Sequence, residues 1–140
     1  VVNVYFDNST LGEIIMNAER AKLHSLIRAL KRFNQFDTKM QVSTMLTLLE
    51  IAAANEDRKD ISVQDLERSI GLLSGTASRN VYYWADGGKD MTGAHQMVTI
   101  RMNPEDRRRR ELVLNAKGKA FLDTVLGEIN GSTAREEVPS

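Results

Sequence analysis

The 140-residue chain has no cysteine, two prolines, two histidines and one tryptophan, and its 19 basic side chains are balanced by 19 acidic ones. Without cysteine there are no disulfides, no cysteine-ligated zinc and no thiol catalysis, which fits a reducing compartment. The two histidines, His24 and His95, stand in unlike settings, and no His/Asp/Glu spacing matches a metal site. The acidic pairs Glu56-Asp57 and Glu105-Asp106 are adjacent in sequence, so their side chains diverge. Gly87-Gly88 lacks the Lys-Ser/Thr and the preceding strand of a phosphate loop. The expectation is a protein with no catalytic residues, no metal and no resident cofactor. No apolar run approaches the roughly 18 residues of a membrane span, and no signal-peptide pattern is present, so no membrane partner is expected. The chain opens on Val1 rather than Met, so it is expected to be trimmed, which leaves a removed targeting segment open.

A net charge of zero argues against a nucleic-acid partner only until the charges are mapped. Residues 1–70 hold 9 basic and 10 acidic side chains, residues 71–119 hold 9 and 5, and residues 120–140 hold 1 and 4, which gives −1, +4 and −3. The middle is basic and densest at Arg107-Arg108-Arg109-Arg110, with Arg101 just upstream. An isolated run of this kind is most often a solvated loop, but a local basic patch is also what phosphate binding requires.

Periodicity supplies the context. Leu11, Ile14, Ile15, Ala18, Ala21, Leu26, Ile27, Leu30 and Phe33 recur at helical spacing and predict a helix over 10–34, capped by Ser9 or Thr10. It would be near 35 Å long, at about 1.5 Å per residue, more than one small domain covers. A second helix over 40–54 is apolar nearly all round and so central. Ile61-Ser62 reads as a short strand. It leads into a helix over 62–70 with Ser62 as N-cap, Asp65 completing a capping box, and Gly71 as the stop. Ser74 then caps a helix over 74–84 whose Ala77, Val81 and Trp84 share a face. Two short helices about a Gly-containing turn form a helix-turn-helix or a plain αα-hairpin.

After a polar, Gly-rich stretch over 85–97, Met97 to Met102 alternates as a strand, Asn103-Pro104-Glu105-Asp106 is turn chemistry, and Arg110 to Leu114 returns. A hairpin directly after a helix-turn-helix is a wing, here about 97–114, with the arginines at its tip. Asn115 caps a last helix over 115–130 with Phe121, Leu122, Val125, Leu126 and Ile129 at helical spacing, Gly131 ends it, and 132–140 reads as a disordered tail. The predicted class is mainly α with a small β-wing: one winged helix-turn-helix domain over 1–131 with long N- and C-terminal helices. Leu11, Ile14, Ile15, Phe121, Leu122, Val125 and Ile129 are its candidate dimerisation residues, with intrachain core as the other reading.

The wing residues Asn103-Pro104-Glu105-Asp106-Arg107-Arg108 and the following Leu112-Val113-Leu114-Asn115-Ala116-Lys117-Gly118 resemble the wing of MarR-type transcriptional regulators. Asp106 and Arg108 fall on that family's D-x-R, and Leu114, Asn115 and Gly118 on its L-T-x-x-G, with Asn for Thr. Ser78-Arg79-Asn80-Val81 looks like the S-R-x-V of its recognition helix, and the order of elements agrees over about residues 10–130. The chain departs from the family in about eight extra residues, Lys89 to Gln96, before the wing and in its four consecutive arginines. The resemblance implies a homodimer with interlocked terminal helices. Its two recognition helices would enter successive major grooves of a pseudo-palindromic double-stranded DNA site, and its wing arginines would reach the minor groove. It also implies a bacterial, phage- or plasmid-encoded, cytoplasmic and nucleoid-associated regulator, a repressor in the usual case. Family members often take small aromatic acids, and Met40, Met45, His24 and Phe36 are candidate lining for such an effector, which stays open.

On that reading Ser74, Thr76, Ser78, Arg79, Asn80 and Tyr83, with Arg101, Arg107, Arg108, Arg109 and Arg110, are the candidate DNA-binding residues. Arg79 suits guanine or phosphate, and Asn80 suits adenine, with a solvent-facing role as its alternative. Of Tyr82 and Tyr83, one packs with Trp84 and the other reaches a phosphate. Asp106, a carboxylate that phosphates repel, is expected to orient an arginine, Arg108 in the first place. The alternative function is a winged-helix protein–protein or accessory module that uses the 85–97 insertion.

Overall fold

A computed structural model describes residues 8–87 and 94–129. They fall into two compact units, one running to Phe36 and resuming at Thr124, the other spanning Asp37–Asp123. The elements are α1 (Asn8–Asn34), α2 (Val42–Glu56), α3 (Val63–Leu66) continued by a π-helical turn (Glu67–Gly71), α4 (Ser74–Trp84), strands β1 (Val98–Met102) and β2 (Arg110–Leu114), and α5 (Ala116–Glu128). The architecture is mainly helical with a two-stranded antiparallel wing, as expected.

In the first unit α1 is already helical at Asn8, so Ser9 and Thr10 lie inside it and neither is its cap. Ser25, Ala29 and Phe33, four residues apart, form its buried row. Lys31 and Arg32 in the last turn suit the negative end of the helix. Arg32 bonds the Glu128 carboxylate at 2.7 Å and Arg28 lies 3.6 Å from it, so the first and last helices touch. A second apolar row, Leu11, Ile14, Ile15, Leu23, Leu26, Ile27 and Leu30, is 39–57% exposed.

In the second unit α2 starts and ends two residues later than the periodicity indicates, and it buries Leu48, Ile51 and Ala52 with Thr44 and Thr47. Thr47 is tolerated there because its hydroxyl donates to the Ser43 carbonyl one turn back, at 2.8 Å. At the C-terminal end the Asn55 amide grips β2: Nδ2 donates to the Leu112 carbonyl (3.1 Å) and Oδ1 accepts from Leu114 N–H (2.8 Å). The expected Ile61-Ser62 strand is absent. Ile61 accepts one bond from Leu112 N–H (3.0 Å), and Ser62 is already the cap of α3, so the extended stretch is too short to form a ladder.

Ser62 and Asp65 form the full capping box, each side chain bonded to the other's backbone N–H. The helix predicted to Ile70 is not uniform. Leu72 N–H reaches back five residues to the Glu67 carbonyl (3.0 Å), widening the last turn before Gly71 ends it at φ 82°. Ser74 is not the cap of α4 but its first residue, and the cap position belongs to Leu73.

In the wing Val98 pairs with Leu114, Ile100 with Leu112 and Met102 with Arg110. Asn115 caps α5 through Oδ1, which accepts from Gly118 N–H at 2.9 Å, while its Nδ2 donates to the Gln96 carbonyl at 2.7 Å. Leu122 and Val125, expected at a dimer surface, are buried within one chain, whereas Leu126 and Ile129 are exposed. Gly131 and 132–140, the expected helix end and tail, lie outside the described residues, as do 88–93 of the insertion.

Gly118 occupies a position only glycine fits: a Cβ would stand 2.3 Å from the Met97 carbonyl oxygen, which is backbone and cannot step aside. Gly118→Ala is therefore expected to lower unfolding free energy by about 1–3 kcal/mol, measured by urea denaturation. An unchanged midpoint would contradict this packing of α5 on the root of the wing.

Candidate nucleic-acid interface

The helix α4 is held from its inner face. Ala77, Asn80, Val81 and Trp84 are buried, and the outer positions Ser74, Gly75 and Arg79 are exposed, with Ser78 and Tyr82 half-buried. Trp84 Nε1 donates to the Thr44 carbonyl at 2.7 Å, and its ring packs against Tyr83 (5.3 Å, edge-on), His95 (5.4 Å) and Phe121 (6.2 Å, stacked). A buried indole N–H needs such a partner, and the carbonyls and hydroxyls at the start of α2 supply partners for this whole face.

Asn80, expected to read adenine, is only 7% exposed. Its Oδ1 accepts from Thr44 Oγ1 (3.2 Å) and its Nδ2 donates to Thr47 Oγ1 (3.3 Å). Its amide is thus committed to α2 and is not presented to a ligand, because the helical period turns position 80 inward with 77, 81 and 84. Tyr83, expected to reach a phosphate, donates to Asp37 Oδ2 (3.3 Å) and lies 3.0 Å from His95 Nε2. Burial, then the Asp37 charge and this hydrogen bond, push its pKa up to about 12. Burial and then the Lys117 charge hold His95 below its usual value, against the smaller pull of Asp37, so the ring is neutral at pH 7.

The tip of the wing is built on Asn103, whose residue type and place beside Pro104 signal only a turn. Buried, it accepts from Glu105 N–H (2.8 Å) and Asp106 N–H (3.2 Å) and donates to Asp60 Oδ2 (3.0 Å). The Asp106 carboxylate accepts from the backbone N–H of Arg108 (3.1 Å), not from its guanidinium, so it shapes the turn and does not aim the arginine side chain. The arginines divide. Arg109 Nη2 bonds Asp65 Oδ2 (2.6 Å), which ties the wing to the α3 cap. Arg101 Nε lies 3.2 Å from Glu111, a carboxylate in a residue only 6% exposed, so its charge is spent on a buried partner. It lines a separate cavity of about 680 Å³ where Arg58, Lys59 and Lys119 are matched by Glu56, Asp60, Glu111 and Asp123. Among the described residues, Arg79, Arg107, Arg108 and Arg110 carry no ion pair, and all four are exposed.

Helix and wing meet in a cleft of about 310 Å³, where Ser74, Ser78 and Tyr82 of α4 face Arg108, Arg109 and Arg110, with Val63, Ile100 and Leu112 among its walls. Thr76 and Arg79 open on the other side of α4, into a cavity of about 430 Å³ shared with Lys39, Met40 and Gln41. The four expected effector-lining residues divide between the units, His24 and Phe36 in the first and Met40 and Met45 in the second. No group of three His, Cys, Asp or Glu among the described residues could hold a metal ion, and no described helix is long and apolar enough to cross a membrane.

A helix-turn-helix followed by a basic hairpin, with helix and hairpin facing one cleft, defines the winged helix-turn-helix class. The fold is that of the MarR-type regulators. It matches S. aureus MepR in its complex with DNA at a TM-score of 0.61 and 15% identity, over 91% of this chain and 82% of that one. RV1404 from Mycobacterium tuberculosis matches at 0.59 and 15%, over 94% and 80%. YusO from Bacillus subtilis matches at 0.56 and 14%, over 94% and 84%. No protein-family model and no curated protein sequence matches the chain.

Two substitutions test this division of roles. Asn80→Ala leaves the buried Thr44 hydroxyl without its acceptor and is expected to cost about 1–3 kcal/mol of stability, whereas Arg79→Ala, on the exposed face, is expected to leave the thermal midpoint nearly unchanged. Equal midpoints for both variants would overturn the inward placement of Asn80. At Asp65 burial raises the carboxyl, but the Ser62 backbone and hydroxyl, then Arg109 and Arg68, outweigh it and hold it below the ordinary 3.8. A carboxyl depressed by folding stabilises above its unfolded value, and that contribution is lost as pH falls through the folded one. Asp65→Asn should therefore cost about 1 kcal/mol at pH 7, with the gap to wild type closing as pH drops below 3.8. A gap that stays constant into acid would contradict a carboxyl held low by Ser62 and the two arginines.

Proposed function

We propose that the protein is a sequence-specific double-stranded DNA-binding transcriptional regulator, a repressor that works by occupying its operator as a homodimer. The observation that carries this reading is the cleft in which the outer face of α4 and the wing arginines converge. Ser74 and Ser78 are short enough to let the helix approach base edges, and Arg79, exposed on the other side of α4, suits guanine or phosphate. Arg107, Arg108 and Arg110 stand on a hairpin whose turn is fixed by Asn103 and Asp106, which suits entry into a narrow, electronegative minor groove. Arg109 contributes less, being bonded to Asp65.

The exposed row on α1 supports the dimer. Leu11, Ile14 and Ile15 are about half exposed, with Leu23, Leu26, Ile27 and Leu30 behind them along the helix. A contiguous apolar face of that length is stable in water only when covered, and a second copy covers it while bringing two α4 helices to two half-sites. On α5, Leu126 and Ile129 are exposed and available to such a partner, whereas Leu122 and Val125 are buried. The affinity for DNA falls steeply with salt, because each wing displaces counterions.

Arg108→Ala is expected to weaken binding to a duplex selected from a random pool by about 1–3 kcal/mol, with the thermal midpoint unchanged. Gel-shift titration at two salt concentrations measures it. Unaltered affinity would remove the wing from the interface. Light scattering at micromolar concentration should show a dimer, and absence of binding to any duplex would instead favour a protein-binding role for the 85–97 segment.

A further inference from the structure

Leu73 is the most exposed large apolar side chain among the described residues, at 81%. It occupies the N-cap of α4, with extended φ and ψ of −70° and 151°, and its carbonyl accepts the Ala77 N–H at 2.9 Å. Helices are best capped by Ser, Thr, Asp or Asn, whose oxygen satisfies a free N–H. Leucine supplies no oxygen, and no acidic residue in the first turn of α4 compensates. The position is thus unfavourable twice over, for the missing cap and for apolar surface left in water, and packing within the chain offsets neither. A local rule broken without an internal return marks a residue kept for an external contact.

The surroundings identify the contact. Leu73 immediately precedes Ser74, which lines the cleft with Arg108, Arg109 and Arg110. Beyond it Gly75 has nothing within 4 Å of where a Cβ would stand, so the first turn of the helix is open to an approaching surface. The first turn of a recognition helix is the part that meets base edges in the major groove. Leucine has neither donor nor acceptor, so it cannot read the hydrogen-bonding pattern there. The one apolar group on the groove floor is the 5-methyl of thymine. Resting on the DNA-binding reading above, we infer that Leu73 is a specificity-determining residue that selects thymine, through its methyl group, at one position in each half-site.

The test separates the methyl from the base pair. A duplex selected by the wild-type protein from a random pool is resynthesised with each thymine replaced in turn by deoxyuridine, which pairs identically but lacks the methyl. For the wild type, a single such replacement, at one particular position in either half-site, is expected to weaken binding about fourfold, the equivalent of one buried methyl group. For Leu73→Ala the same replacement has no effect. Leu73→Ser, which restores a capping oxygen, should also lose the methyl dependence while its thermal midpoint rises. The inference is overturned if no thymine methyl matters to the wild type, or if the Leu73 variants keep the wild-type dependence. Failure of the wild-type protein to bind any duplex would reject the DNA reading itself, and this inference with it.

Discussion

The arrangement of the candidate interface depends on how α4 is fastened to α2. Trp84 donates its indole N–H to the Thr44 carbonyl, and Asn80, one turn earlier, bonds the Thr44 and Thr47 hydroxyls. Tyr83 reaches Asp37 just before α2. These groups are buried or half-buried, and each would be costly to leave unpaired, so α4 has one favourable rotation about its axis. That rotation alone sends Ser74, Ser78 and Arg79 outward together. Apolar packing of Ala77 and Val81 would hold the helix in place but would tolerate small rotations, because it has no direction.

The wing is fixed by similar means. The Asn55 amide grips the β2 backbone, Asn103 organises the turn, and Asn115 joins the start of α5 to the segment that enters β1. Three asparagines do this, each using both ends of its side-chain amide. Arg109 and Asp65 add a charged link from the wing tip to the α3 cap. The same pairing thins the apparent basic run. Of Arg101 and the four tip arginines, Arg101 and Arg109 are engaged by carboxylates, while Arg107, Arg108 and Arg110 keep their charge available. The zero net charge therefore arises partly from real pairs and partly from acidic groups elsewhere in the chain.

Much of this was legible beforehand because it rests on local rules. The capping box at Ser62 and Asp65, the stop at Gly71, the Asn115 cap and the alternation of the wing strands depend on residues within a few positions of one another. The misreadings share a cause. Ser74 looks like a cap by residue type, yet the turn from Gly71 places Leu73 there. Asn80 looks like a base reader because it follows Arg79, yet it faces partners 33 and 36 residues away. Asp106 looks like a guanidinium partner, yet the tightness of the turn brings the Arg108 N–H to it first.

By itself the sequence determined the order of the helices and of the two wing strands, that a hairpin rich in arginine follows two short helices, and that α1 carries more apolar surface than one small domain needs. Those properties follow from periodicity, capping and turn chemistry, which act over a few residues. Only the tertiary structure decided which polar side chains are available. Burial makes an unpaired amide or carboxylate expensive, so Asn80, Arg101 and Arg109 were claimed by distant partners, and Ser78, Arg79, Arg107, Arg108 and Arg110 were left to face outward.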